Sequence, residues 1–321
     1  MSKWQEILRN NFSTFEDLIE FLEINAKDQL KLLRDPKFPI NVPLRLAKKM
    51  GKNNINDPLF KQFVPIIDEL LKSKGEKSDP LLENSFRVEQ KLLQKYQGRA
   101  LILGSSSCAM HCRFCFRQNF DYAREKKGFE TELNKIKSDP TLSEIVLSGG
   151  DPLSLSDRSL EELLQNLDQI PHLKRIRFHT RFPIGIPERL DDKLLKILEG
   201  LSKQVYFIIH INHPNEWDND LAKALKNVQK LGIPILSHTV LLKGINDSTT
   251  ILQQLFETLV NHGIIPYYLN QLDQVNGTSH FEVSQEKGLE LIKELKGKIS
   301  GYAVPRYVQE RPGCTSKSEI L

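Results

Sequence analysis

The chain has 321 residues, of which 39% are hydrophobic, 27% charged and 8% aromatic. That composition excludes collagen-like, low-complexity and largely disordered classes, and the length suffices for two domains or one large α/β unit with an extension. The 45 basic and 41 acidic residues leave a net charge of only +4, spread along the chain, so neither a nucleic-acid-binding arm nor any other partner is named by charge.

Residues 1–98 read as helices broken by Pro and Gly, beginning with Ser13-Thr14-Phe15-Glu16, a capping-box pattern ahead of the apolar-periodic stretch 17–22. Asp-, Pro-, Asn- and Gly-rich stretches at 34–43, 51–58 and 73–80 read as turns, and there is no internal repeat. Acidic residues interrupt what would be a signal core, and the longest apolar runs, such as 205–211, fall far short of the ~18 residues of a membrane helix. A cytoplasmic protein with no membrane association is therefore expected.

After residue 98 the rhythm changes. β-rich runs at 100–103, 144–147, 174–179, 205–211, 233–241 and 264–269 alternate with amphipathic segments of helical length, among them 157–169, 186–198, 217–231 and 249–262. Parallel neighbours need long crossovers, so this alternation predicts an α/β fold with a parallel sheet and its site in the loops at the carboxyl ends of the strands. A partial barrel and an open doubly wound sheet satisfy the pattern equally.

Four cysteines are too few for a disulfide scaffold, but Cys108, Cys112 and Cys115 share one loop directly after the first predicted parallel strand. Thiolates are the ligands of iron–sulfur clusters, and three in one loop can hold three irons of a [4Fe-4S] cube and leave the fourth open. A zinc site would need His111 or a distant residue as its fourth ligand, and three unligated thiols also suit a reducing compartment.

The CxxxCxxC spacing resembles the radical S-adenosylmethionine (SAM) enzymes. Further stretches carry a closer resemblance: Tyr96-Gln97-Gly98-Arg99, Cys112-Arg113-Phe114-Cys115-Phe116-Arg117, Ser148-Gly149-Gly150-Asp151-Pro152, His210-Ile211-Asn212-His213, Pro266-Tyr267-Tyr268-Leu269 with Asp273, and Pro312-Gly313-Cys314-Thr315-Ser316-Lys317. They are similar to the lysine 2,3-aminomutase family, most closely its short branch that forms (R)-β-lysine for modification of elongation factor P. The resemblance implies a partial (β/α)6 barrel over residues 99–283, with a helical extension at 1–98 and a cofactor-binding segment at 284–321.

It further implies three cofactors: a [4Fe-4S] cluster on Cys108, Cys112 and Cys115, SAM, and pyridoxal 5'-phosphate on Lys317. Tyr96 and Arg99 match positions around the cofactor phosphate, where a planar guanidinium suits paired oxygens. Gly149, Gly150 and Asp151 match the stretch that receives the amino end of SAM. Arg117 matches the arginine that binds the substrate carboxylate, and Asp273 and Glu310 match the acids that receive the distal ammonium. These acids favour L-lysine over glutamate, whose second carboxylate they would repel; an aminomutase for glutamate or another amino acid is the alternative. The implied partners are an electron donor such as flavodoxin or ferredoxin, a functional link to elongation factor P and its β-lysine ligase, and a second copy of the chain. His111 and Cys314 read as structural. The tail that binds zinc in longer relatives has no counterpart after Lys317, so no zinc is expected.

Overall fold

The computed structural model describes residues 2–71, 73–122 and 128–321. Ten strands form a single sheet in chain order: β1 (Arg87–Glu89), β2 (Leu92–Tyr96), β3 (Arg99–Ser105), β4 (Glu144–Gly149), β5 (Arg175–Thr180), β6 (Gln204–His210), β7 (Ile235–Val240), β8 (Ile265–Asn270), β9 (Arg306–Gln309) and β10 (Ser318–Glu319). From β3 to β9 every neighbouring pair is parallel, whereas β1, β2 and β10 add antiparallel edges. The six strands expected from the sequence are β3 to β8.

Side chains alternate across these strands, as the pleat requires. Ile145, Leu147, Ile176, Phe178, Phe207 and Ile209 face outward and are completely buried. They pack in one apolar cluster with Leu160, Leu164, Leu194, Leu225 and Leu255 of the covering helices. The alternate positions Val146, Ser148, Arg177, His179, Ile208, His210, His238, Val240, Tyr268 and Asn270 face inward and line a cavity. Sheet order is linear and the barrel does not close through hydrogen-bonded strands. Side chains span the gap instead: Lys95 on β2 lies 2.6 Å from Glu310 just after β9, and the Tyr96 hydroxyl donates to the same carboxylate.

Three local expectations are corrected. The helical reading of residues 1–98 holds for Lys3–Arg9, Phe15–Phe21, Ala26–Gln29, Leu44–Lys49 and Pro58–Phe63, but Arg87–Glu89 and Leu92–Tyr96 are strands joined by a turn, with Leu92 and Leu93 buried against β3. The cap of Phe15–Phe21 is Thr14, whose hydroxyl accepts the Asp17 N–H at 3.3 Å, one residue later than the Ser13 pattern suggests. The segment 186–198 splits into a 3₁₀ turn at Pro187–Arg189 and a helix at Asp192–Glu199. The turn survives because the buried Arg189 guanidinium donates to Leu153 O (2.8 Å), Leu155 O (3.2 Å) and Asp157 (2.8 Å). Among the described residues no helix is long and apolar enough to cross a membrane.

Phe207 stacks on Phe178 with ring centroids 4.8 Å apart beneath the helices. Phe207→Ala is expected to cost about 3–5 kcal/mol, read as a lowered urea midpoint with an unchanged slope.

Candidate active site

A cavity of about 380 Å³ opens at the carboxyl ends of the parallel strands, within the range of ligand pockets. Every residue given a catalytic or binding role from the sequence lines it: Tyr96, Arg99, Cys108, Cys112, Cys115, Arg117, Gly149, Gly150, Asp151, Asp273, Glu310 and Lys317. Cys314 and His111 do not. The His111 ring stacks on Phe38 with centroids 4.5 Å apart, and its Nδ1 lies 2.8 Å from Pro39 O, which agrees with a structural role.

The cysteine loop has neither helix nor strand of its own, so its polar backbone is satisfied from the N-terminal segment. Asn41 donates to Cys108 O at 3.1 Å and Asn11 to Ala109 O at 2.8 Å. The His111 and Arg113 N–H groups donate to Asn41 O and Gln62 O, each at 2.9 Å. Arg113 is buried, and both its Nε and Nη2 donate to Glu69. Burial pushes the Cys115 thiol up to about 12 and also raises Cys108 and Cys112. Among the described residues no three His, Cys, Asp or Glu side chains gather closely enough to hold a single metal ion. A cube uses such thiols one per iron, each cysteine bonding a different iron.

Opposite this loop, the glycines after β4 are required by close backbone approach. Gly149 has φ +118, and a Cβ there would lie 2.7 Å from Ser105 O; at Gly150 it would lie 2.4 Å from Ser107 O. The Gly150 N–H donates to Ser105 O at 2.6 Å and the Asp151 N–H to Ser107 O at 2.8 Å. The Asp151 carboxylate accepts from Leu153 N (3.0 Å), Thr180 Oγ1 (2.8 Å), Arg181 N (2.7 Å) and Phe182 N (3.0 Å). It braces the β4 and β5 loops together, and burial nevertheless pushes its pKa up to about 6.

The far wall is a hairpin. β10 pairs with β9 through Ser318 opposite Gln309 and Glu319 opposite Val308, which places Glu310 and Lys317 at the two ends of the intervening loop. Lys317 Nζ donates to Asn270 Oδ1 at 2.7 Å and lies 5.4 Å from the Tyr268 ring centre. Burial pulls its ammonium below the ordinary lysine value; Glu310 and Asp273 oppose this, and Arg177 and Lys95 add to it. Glu310 is pushed up by burial, but hydrogen bonds from Lys95 and Tyr96 hold it below the ordinary carboxylate value. Asp273 has no such donors among the described residues, and burial raises it to about 7 although Lys317 opposes the shift. The Arg99 guanidinium lies over the Tyr96 ring at 4.6 Å, and its buried Nε has no hydrogen-bond partner among the described residues.

Sequence reasoning missed several groups. Glu83 takes Arg117 in a bidentate pair, at 2.7 and 2.6 Å, while Arg117 Nη1 reaches Ser148 Oγ (3.0 Å) and Gly149 O (3.1 Å). Of the five guanidinium donors this leaves one Nη2 proton for a ligand. His179, His210 and His238 line the cavity, each held well below the ordinary histidine value by burial and therefore neutral. The detectable signal was a polar residue at alternate positions of strands with both faces covered. Glu83 and Lys95 carried no local signal, because their partners lie far along the chain.

Residues 102–254 match the radical SAM superfamily. A radical SAM methyltransferase from Sphaerobacter thermophilus shares the fold, with TM-score 0.50 and 17% identity over 68% of each chain. The cysteine loop after β3 and the parallel sheet around the cavity thus define a radical SAM enzyme. The chain is 37% identical to the L-lysine 2,3-aminomutase of Escherichia coli (strain K12), covering 99% of this chain and 94% of that protein. It is 31% identical to the L-lysine 2,3-aminomutase of Clostridium subterminale, covering 99% and 77% respectively. This chain belongs to the lysine 2,3-aminomutase family, whose members are isomerases.

Asp273 yields a pH prediction. Its folded pKa near 7 exceeds the unfolded value of 3.8, so folding takes up a proton between those limits and stability falls as pH rises through them. In cofactor-free protein, Asp273→Asn should therefore melt higher than wild type at pH 8, with the margin closing toward pH 4. A margin independent of pH would contradict the assignment.

Proposed function

We propose that this protein is a radical SAM, pyridoxal-phosphate-dependent L-lysine 2,3-aminomutase that forms (R)-β-lysine in the cytoplasm, for modification of elongation factor P. The observation that carries the reading is the convergence, in one cavity, of three cysteines from one loop with Lys317 and with charged groups of both signs. In this reading residues 1–98 brace the cysteine loop, 99–283 supply the barrel and 284–321 deliver Lys317. A flavodoxin or ferredoxin supplies the electron, and the working form is a homo-oligomer.

The residues present fit the cofactors. Cys108, Cys112 and Cys115 would hold the cluster, with an N–H from Arg181 already directed at the Cys112 sulfur. Lys317 would carry pyridoxal phosphate, and Arg99, whose buried Nε has no partner among the described residues, would face its phosphate beside Tyr96. The Ser148 to Gly150 wall, which lines the same cavity as the cysteines, would take SAM. When bound, these groups supply a carbon-centred radical that removes hydrogen from the substrate, and a carbonyl carbon to which the migrating nitrogen is bonded.

The protein's own contribution is positioning and exclusion of water. Burial favours the neutral amine of Lys317, the form that attacks a carbonyl, and Asn270 holds its Nζ in place. Arg117 offers its remaining Nη2 proton to a substrate carboxylate, with Glu83 fixing the guanidinium. Asp273 receives the distal ammonium, which returns its carboxyl to the charged form. Glu310, paired with Lys95, is the second acid at that end of the pocket. Neutral histidines and the apolar Phe114, Val146, Ile208 and Val240 complete a lining poor in free charge.

Replacing Cys108, Cys112 or Cys115 by Ala should abolish bound iron and sulfide together with lysine turnover; a fully active single variant would overturn the proposal. Lys317→Ala should keep the iron but lose the visible absorbance of protein-bound pyridoxal phosphate. Asp273→Asn should raise KM for lysine by about 10–100-fold, the worth of a hydrogen bond to a charged group. Chiral analysis of the product distinguishes (R)-β-lysine, and turnover of glutamate in place of lysine would favour the alternative substrate.

A further inference from the structure

Behind the cysteine loop lies a polar network of which the reading above uses only the N–H directed at Cys112. Arg181, which follows β5, is 7% exposed, and Glu216, Gln62 and Asn212 are completely buried. Arg181 Nη1 donates to Cys112 Sγ at 2.9 Å. Its Nη2 donates to Gln62 Oε1 at 2.7 Å and to Glu216 Oε2 at 2.8 Å. The other Glu216 oxygen accepts the N–H groups of Asn212 (3.0 Å) and His213 (2.9 Å) and the Gln62 amide (3.2 Å). Phe63 and Phe114 cover the guanidinium, with ring centres 4.9 and 5.3 Å away.

A buried Arg–Glu pair is weak evidence for stability, since desolvation offsets most of the attraction. The directed contact with a sulfur calls for a different account. Hydrogen bonds to the sulfurs, together with local charge, set the potential of an iron–sulfur cluster. We propose that Arg181 is a positioning residue that sets the reduction potential of the cluster through its N–H to the Cys112 sulfur, with Glu216 moderating its charge. When the cube takes up one electron from a low-potential donor, negative charge grows on iron and sulfur and no bond forms or breaks. An N–H donor and a guanidinium against one sulfur stabilise that reduced form and raise the potential. Glu216, by neutralising the guanidinium, lowers it. This inference rests on the assignment of the cluster to Cys108, Cys112 and Cys115.

The test uses the full chain, reconstituted anaerobically with iron and sulfide and titrated with dithionite and mediators under paramagnetic resonance. Arg181→Lys keeps the charge but loses the planar fork that reaches Cys112, Gln62 and Glu216 at once. Its midpoint should become more negative, with a tenfold lower reduced-to-oxidised ratio at fixed poise corresponding to about 59 mV for one electron. Glu216→Gln keeps Arg181 hydrogen-bonded but leaves its charge unbalanced, so its midpoint should become more positive. Iron and sulfide content and circular dichroism establish loading and folding. An Arg181→Lys protein that is folded but holds no cluster, or whose midpoint equals that of wild type, overturns the inference. If Arg181→Lys does not fold, an unchanged or lowered midpoint in Glu216→Gln overturns it. A wild-type protein that forms no cluster removes the underlying assignment as well, which separates the two failures.

Discussion

Irregular backbone that carries a site must still satisfy its polar groups, and this constraint organises the molecule. The loop from Cys108 to Cys115 has no hydrogen-bonded ladder to lie in, so Asn11, Asn41, Gln62 and Glu69 of the N-terminal segment take up its carbonyls, its N–H groups and Arg113. On the other side, the backbone of Ser105 to Ser107 is clasped by the glycine turn after β4. The short helices of the N-terminus therefore act as the outer half of the loop's mould. Their apolar residues, Trp4 and Phe63 among them, belong to the same buried cluster as the sheet.

Charge inside the cavity obeys a similar economy. Buried ions are tolerated when paired, and Arg117 with Glu83, Arg181 with Glu216 and Lys95 with Glu310 are paired within 2.8 Å. Among the described residues Asp273 and Lys317 have no ionic partner at that range, and both pKa values are drawn toward the neutral form by burial. Those two groups retain capacity for a ligand, while the paired charges form a rigid frame around them. The three half-buried cavity histidines, neutral for the same reason, contribute hydrogen-bonding edges without adding to the charge.

Much of this was legible in the residues. β3 to β8 follow from β-branched and aromatic runs, and the cysteines from their spacing. Lys317 and Asp273 became visible through family resemblance alone, since neither stands out by local pattern. The rest depends on distant partners. β2 has the sequence Leu-Leu-Gln-Lys-Tyr and β10 only two residues, so pairing with β3 and β9 makes them strands where propensity does not. At Gly149 and Gly150 the added requirement is that a Cβ would meet neighbouring backbone, which only the folded loops reveal. Glu83, Arg181 and Glu216 act through partners 34 to 69 positions away, a separation that periodicity does not register.

The element that presents Lys317 is short. β10 is held by two ladder positions, by Ile320 tucked into the core and by the Ile320 N–H on Tyr307 O at 2.9 Å. Opening of this strap would break the Lys317–Asn270 hydrogen bond and carry the amine out of the cavity, while the parallel strands keep their own ladders. Whatever becomes bonded to Lys317 while gripped by the opposite wall would rivet the strap shut, so that ligand capture and the ordering of this terminus become one event.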